Sequence, residues 1–408
     1  MSTNDYTTWR LHALDTWFFR ETRPFDTIGS PELSSHFPPP APTVAGAIKT
    51  LVGEQAGIDW REFKPKTAQD EPRDERYGRL GDLHLRGPFL CLDDRLLFPA
   101  PLFLLAKKKK PEAGEAGAPA TDKNPELSLH RLRIGKPVET HLGIVRLPEL
   151  PKSENGDEDK GYKPMENAWL TATGLKKVLD GNVPNSQDIF MPDQLYAAES
   201  RLGIGRDNRT KTVRADDALL YQTRHIRPYD NVSLVVGIEG LPPDIQPSPV
   251  RLGGEGRLAL IEAVPDGLNL PEKPSPDGET HGLILILLTP ADLDNAWRLP
   301  NSKSEAPAER DSGKAKLWRC EIDGVKLVVH SAVIGKPLRE GGWHMAEGKP
   351  RRVESLVPAG SAWYCTVENM DLKAAIGKLH GIQVGDGEKL GRGLIVVGLW
   401  QRKEGAEI

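Results

Sequence analysis

The chain has 408 residues, enough for two to three domains, with 38% hydrophobic residues to fill their cores and 27% charged residues, which excludes global disorder. Lys and Arg number 54 against 58 Asp and Glu, a formal net charge of -4 that excludes coating nucleic acid through bulk positive charge and leaves local basic patches open. Forty Gly and 35 Pro favour many short strands and loops over long helices.

In chain order, Trp9 to Phe19 reads as a strand with Trp9, Leu11 and Ala13 on one face. A helix is expected from Thr43 to about Gln55, with Thr43 as N-cap and Val44, Ile48, Leu51 and Val52 at helical spacing. Lys49 lies off that apolar stripe. Residues 83 to 98 form a hairpin, with Cys91-Leu92-Asp93-Asp94 near its turn. Further strands are expected at Val232–Ile238, Arg257–Val264, Leu283–Thr289, Val325–His330, Ala362–Val367 and Leu394–Trp400, and short helices at 172–180, 291–297 and 371–379. Three polar stretches, 107–126, 151–164 and 300–316, lack the apolar residues to offset ordering entropy and read as solvated insertions. Strand, helix, hairpin, helix, strand, met twice, suggests an α+β protein of two units.

Cys91, Cys320 and Cys365 are far apart and odd in number, which gives neither a disulfide framework nor a zinc knuckle and points to a reducing cytosol. The opening Met1 to Asp5 lacks the pattern of a secretory leader, and the longest apolar run, Leu283 to Leu288, is far too short to span a bilayer. A cytoplasmic protein without membrane attachment is expected.

No GxxxxGK[ST], HExxH, GxSxG or EF-hand loop occurs, and the histidines lack zinc-ligand spacing. The run GDGEKLGRG at 385–393 precedes a strand, the wrong order for a dinucleotide or P-loop cradle. His12 and His36 are the candidates for a general acid or base. The densest basic segment carries Arg201, Arg206, Arg209, Lys211 and Arg214 against one acid, Asp207, and its glycines and threonines suit phosphate contacts. Two smaller basic clusters follow, Lys349-Pro350-Arg351-Arg352 and Lys389 with Gly391, Arg392 and Gly393. Gly-rich turns let backbone N–H groups converge on an anion, so the second is expected to grip a phosphate.

These segments together resemble one family, the third subunit of the Cmr (type III-B) CRISPR RNA-guided effector, a repeat-associated (RAMP) protein. The resemblance rests on DTWFFRETRPF from Asp15 to Phe25, FPPPAPTVAGAIKT from Phe37 to Thr50, ESRLGI from Glu199 to Ile204 and ALLY from Ala218 to Tyr221. GGEGR from Gly253 to Arg257, KPRR from Lys349 to Arg352, PAGS from Pro358 to Ser361 and the terminal Gly-rich loop complete it, in order and across nearly the whole chain. It implies two tandem ferredoxin-like (RRM-like) domains with long loop insertions, set at 1–240 and 241–408. It implies no catalysis and no cofactor. The family holds the 5′ tag of the CRISPR RNA and bridges the large Palm-domain subunit to the backbone subunit. No RNP1 aromatic pattern is present, so RNA contact is expected through loops, at Lys49, Arg201, Arg206, Arg209, Lys211, Arg214, Lys389, Gly391, Arg392 and Gly393. The alternative is a RAMP endoribonuclease that processes CRISPR RNA with His12 or His36. A third reading is a nucleotide-binding enzyme using the C-terminal glycines.

Overall fold

The computed structural model describes residues 6–22, 32–60, 80–108, 127–141, 143–151, 160–204, 210, 212, 220–265, 267–293, 296–305, 315–344 and 349–401. The chain is α+β and strand-rich, built on two large sheets.

The first sheet has eight strands. β1 (Thr7–Ala13) lies between β10 (Val232–Glu239) and β12 (Leu258–Val264), and β11 (Pro249–Arg251) closes that edge. On the other side β10 pairs with β2 (His84–Leu92), followed by β3 (Arg95–Pro99), β6 (Trp169–Thr171) and β7 (Ile189–Phe190). Chain order and spatial order differ in one regular way. Taken as a set, β12, β1, β10 and β2 stand fourth, first, third, second, and every neighbouring pair is antiparallel.

The second sheet repeats that order. β13 (Thr280–Leu287) lies between β20 (Ile395–Gln401) and β19 (Ala362–Val367), and β16 (Val325–Val333) follows β19, so β20, β13, β19 and β16 again stand fourth, first, third, second. β15 (Leu317–Ile322) and β14 (Lys303–Glu305) extend the edge. Sheet membership changes between Val264 and Thr280. The boundary expected at 240/241 is therefore too early, because β11 and β12 close the first sheet against β1.

Among the described residues, helices cover these sheets. α1 (Ala41–Gln55) buries Val44, Ile48, Leu51 and Val52 against Trp9, Leu11 and Leu234 of the first sheet. It starts two residues before the expected Thr43, and Pro40, not Thr43, is its N-cap. The first-turn N–H groups have no intrahelical partner in any helix, so Pro42 is tolerated there and its fixed φ favours the turn. α3 (Leu372–Leu379) is capped by Asp371, which accepts from the Ala374 N–H at 2.8 Å, and buries Ala375, Ile376 and Leu379 on the second sheet. α2 (Ala172–Leu179) sits between the sheets. Its Leu175, Val178 and Leu179 share one core with Phe98 and Leu170 on one side and Ile284, Ile286 and Val396 on the other. β13 and β20 are thus apolar on both faces, since Leu283, Leu285 and Leu287 pack beneath α3 while Ile284 and Ile286 face α2. Each such buried aliphatic stabilises the fold by about 1.5–3 kcal/mol. Arg131 also joins the halves, donating to the carbonyls of Val178 (2.8 Å) and Leu399 (2.6 Å).

The expected hairpin at 83–98 is present, with Leu92 paired to Arg95 and Asp93 at φ 54 in the turn. Two expectations fail. The strand from Trp9 ends at Ala13, after which Trp17 bridges Ile226 on another sheet. The helix at 291–297 is not formed: Ala291 bridges Val357 and Asp292 bridges Asp386, and residues 294–295 lie outside the described residues. Those bridges tie the segment to two distant loops, and tertiary pairing overrides local helical preference.

The insertion expected at 107–126 lies mostly outside the described residues, but its two ends are fixed. β4 (Leu104–Lys108) pairs antiparallel with β5 (Leu127–Arg131), and Lys108 faces Leu127 directly. Strands so paired can be joined by a two-residue turn. Replacing residues 110–125 with Asn-Gly should therefore leave the thermal unfolding midpoint within about 2 °C of wild type. A large fall would show that the stretch carries core contacts.

Candidate nucleic-acid interface

Lys49 projects from α1 three residues after Gly46, which is exposed and has nothing within 4 Å of where a Cβ would stand. Lys389 and Arg351 approach it closely enough that their charges act on its ammonium. Burial first, then the Lys389 and Arg351 charges, holds Lys49 below the usual lysine range. Among the described residues, no carboxylate lies within ion-pair distance of Lys49 or Arg351. Lys389 donates only to the Gly81 carbonyl, at 3.4 Å. Three cations from three distant segments thus act on one another with no direct ion-pair partner among the described residues, while Arg351 also acts on the buried Glu340 carboxylate. Such clusters are stabilised by an external anion.

A buried ion pair holds two of those segments together. β17 (Leu338–Glu340) and β18 (Glu354–Leu356) form a ribbon in which Glu340 stands directly opposite Glu354. Like charges so placed destabilise a ribbon. Arg392 lies between them, 2.9 Å from Glu340 and 2.7 Å from Glu354, with its own side chain only 7% exposed. The ribbon that presents Arg351 is thereby locked to the loop that presents Lys389. Arg392 meets both carboxylates through one terminal nitrogen, while its Nε has no hydrogen-bond partner. The structure places Arg392, expected as an RNA contact, in an ion pair that positions the neighbouring cations.

The glycines of the loop are also structural. Gly391 has φ 95, and a Cβ there would overlap the Gly87 carbonyl oxygen of β2; Gly393 has φ 74, and its Cβ would overlap the Val384 oxygen. Both glycines allow backbone to pack on backbone, which corrects the reading of them as anion ligands. Gln383 ties the loop further, donating to the carbonyls of Glu388 (2.8 Å) and Arg392 (3.0 Å).

Arg201 belongs to a separate cluster. β8 (Tyr196–Ile204) pairs with β9 (Leu220–Pro228), and in that hairpin Gly203 faces Tyr221, whose ring occupies the space a Cβ would need. The Asp15 carboxylate accepts from Arg201 (2.8 Å), Arg227 (2.9 Å) and Arg257 (2.9 Å), and Glu199 from Arg201 (2.7 Å) and Arg227 (2.6 Å). The Arg201 bond first of all holds Asp15 below the usual carboxylate range, and the Arg227 bond does the same for Glu199. Arg201 is thus engaged within the fold, in a cluster of three cations and two acids. Arg206, Arg209, Lys211 and Arg214 lie outside the described residues.

His12 meets Glu262 at 3.0 Å on the first sheet, while His36 is half-buried, and that burial pushes its imidazole below the usual histidine range. Among the described residues no hydrogen bond joins the two, and no three His, Cys, Asp or Glu side chains converge as metal ligands. No helix among them is long and apolar enough to cross a membrane.

The family of CRISPR-associated proteins described as Cas_Cmr3 matches residues 9–400 of the chain. This chain belongs to the Cas_Cmr3 family. The match runs from β1 through β20, so it takes in all three segments of the cation cluster. It is the family that the sequence motifs resemble. No curated protein matches. Among solved structures, this Cas_Cmr3 chain is similar to one in a cryo-EM structure of the Type III-B Cmr-beta bound to cognate target RNA, with 16% identity, 97% of this chain and 99% of that chain covered and a TM-score of 0.43. A second is from the same assembly bound to cognate target RNA and AMPPnP (16% identity, 88% and 86% covered, TM-score 0.40). A third is from a Csm3-Csm4 subcomplex of the type III-A CRISPR-Cas interference complex (11%, 88% and 93%, TM-score 0.34). Within the Cas_Cmr3 chain, Arg351 is the cluster member missing from the expected contacts. The KPRR run signalled it, but four residues of basic sequence do not reveal a meeting with Lys49 and Lys389.

Proposed function

We propose that this chain is a non-catalytic, RNA-holding subunit of a type III-B CRISPR effector, gripping the 5′ tag of the CRISPR RNA and bridging the large Palm-domain subunit to the backbone. Convergence of Lys49, Arg351 and Lys389, none of them in a direct ion pair among the described residues, carries this reading. A tag of fixed register needs its phosphates held by a rigid surface, and the Arg392 ion pair supplies the rigidity. The basic segment with Arg206, Arg209, Lys211 and Arg214, whose flanking residues Ile204 and Leu220 are paired, supplies a second grip in this reading. The two sheets are read as ferredoxin-like folds, each with its four strands in the order fourth, first, third, second; α1 crosses over in the first and α3 in the second.

The test is salt dependence. Changing Lys49, Arg351 and Lys389 together to Ala should lower the slope of log affinity against log salt for single-stranded RNA by about 2, from about 0.7 per phosphate contact. The melting temperature should not change. An unchanged slope would put the RNA elsewhere. Cleavage of labelled repeat RNA by the purified chain without metal, abolished by His12→Ala or His36→Ala, would instead establish the nuclease reading.

A further inference from the structure

Lys49 is half-buried on α1, and its ammonium makes no hydrogen bond or ion pair among the described residues. Its cationic neighbours are held in place by the fold. Leu390, next to Lys389 in the 388–390 turn, packs on the core that holds Ile48 and Leu51 of α1, so the turn stands beside the helix. Arg351 is pinned through its own N–H, which donates to the Gly342 carbonyl at 2.8 Å. Helical side chains lean over the preceding turn, and there Gly46 is exposed with nothing within 4 Å of a Cβ position. Solvent and small solutes therefore have an open approach to the Lys49 amine. Burial first, then the Lys389 and Arg351 charges, favours the free amine over the ammonium. A lysine desolvated beside other cations is an activated nucleophile.

We propose that Lys49 is an acylation site, modified by small anionic donors of the acyl phosphate class, and that its acylation releases RNA. The donor's phosphate is drawn to Lys389 and Arg351, which raises its concentration where the amine stands. The Lys49 Nζ lone pair attacks the acyl carbon and an N–C bond forms. The C–O bond to phosphorus's oxygen breaks, its electron pair leaves with the phosphate, and the surplus proton on Nζ passes to water. The product is an uncharged amide, so one of the three positive charges is gone. Bound RNA would cover the amine and block the reaction, so modification and RNA compete for one surface. The release of RNA rests on the RNA-holding reading, whereas the acylation does not.

The full chain, free of RNA, is treated with acetyl phosphate, and each lysine is followed by mass spectrometry. Lys49 should react at least about tenfold faster than the exposed Lys326 and Lys373. That lead should shrink with N-acetylimidazole, an uncharged donor, and vanish when Arg351→Ala is combined with Lys389→Ala. No lead with acetyl phosphate overturns the site and leaves the RNA reading standing. So does a lead equally large with the uncharged donor or in the double variant. Lys49→Gln, which carries the neutral charge of the product, should lower the salt slope of log affinity for single-stranded RNA by about 0.7. An unchanged slope overturns the release of RNA, and with it Lys49 as an RNA contact.

Discussion

Gly393→Val should destabilise the protein by about 3–5 kcal/mol, a fall of about 10 °C in the unfolding midpoint. Gly393 has φ 74, a conformation that β-branched residues avoid, and any Cβ there overlaps the Val384 carbonyl oxygen. The residue cannot move away cheaply. Its N–H donates to the Pro290 oxygen at 2.9 Å, its own carbonyl accepts from the Val384 N–H at 2.9 Å, and β20 begins two residues later. Gly46 supplies the control, since it is helical, exposed and has open space around its Cβ position. Gly46→Ala should stabilise by about 1 kcal/mol through helix propensity alone. Wild-type stability in Gly393→Val, with RNA affinity reduced, would restore the loop glycines as direct ligands.

Arg392→Met should cost about 3–5 kcal/mol at neutral pH, because it strands the buried Glu340 carboxylate opposite Glu354. The loss should depend on pH with a definite sign. Burial already raises the Glu340 carboxyl above its ordinary value of 4.5, and Arg392 is the main influence holding it down. Removing Arg392 raises it further. A carboxyl raised in the folded state favours folding when protonated, so the deficit is smallest below the ordinary value and grows as pH rises through the folded one. Unfolding by urea at about pH 5 and about pH 8 should therefore show a smaller deficit at the lower pH. Pairing Arg392→Met with Glu340→Gln should recover much of the loss, which a simple packing defect would not do. A deficit independent of pH and unrelieved by the second change would mean that the ion pair does not lock the ribbon to the loop.

The strands were legible where a period of two or a continuous apolar run met turn residues. Ala362–Val367 forms as expected, and Asp93-Asp94 makes the turn between paired Leu92 and Arg95. Asp371 marked the start of α3 because its side chain caps a helix that buries Ala375, Ile376 and Leu379. Sheet order was not legible. Nothing local says that Leu258–Val264 returns to pair with β1, and the expected boundary at 240/241 cut the first sheet for that reason. The site divided in the same way. Basic runs were visible, but sequence does not separate an arginine spent on Glu340 and Glu354 from one open to an anion. Arg201 looked free in sequence and instead meets Asp15 and Glu199. Glycine crowding at 385–393 is visible in the sequence, yet its cause is close backbone packing on Gly87 and Val384.

The central claim is that RNA lies across α1, the 388–390 turn and the ribbon that carries Arg351. Lysine acetylation, read by mass spectrometry on the assembled complex with and without its CRISPR RNA, tests it most directly. Without RNA, Lys49 should react readily, since burial and its cationic neighbours favour the free amine. With RNA, Lys49 and Lys389 should be protected about tenfold or more, while the exposed Lys326 and Lys373 react as before. Equal rates at Lys49 and Lys389 in both states would contradict the account.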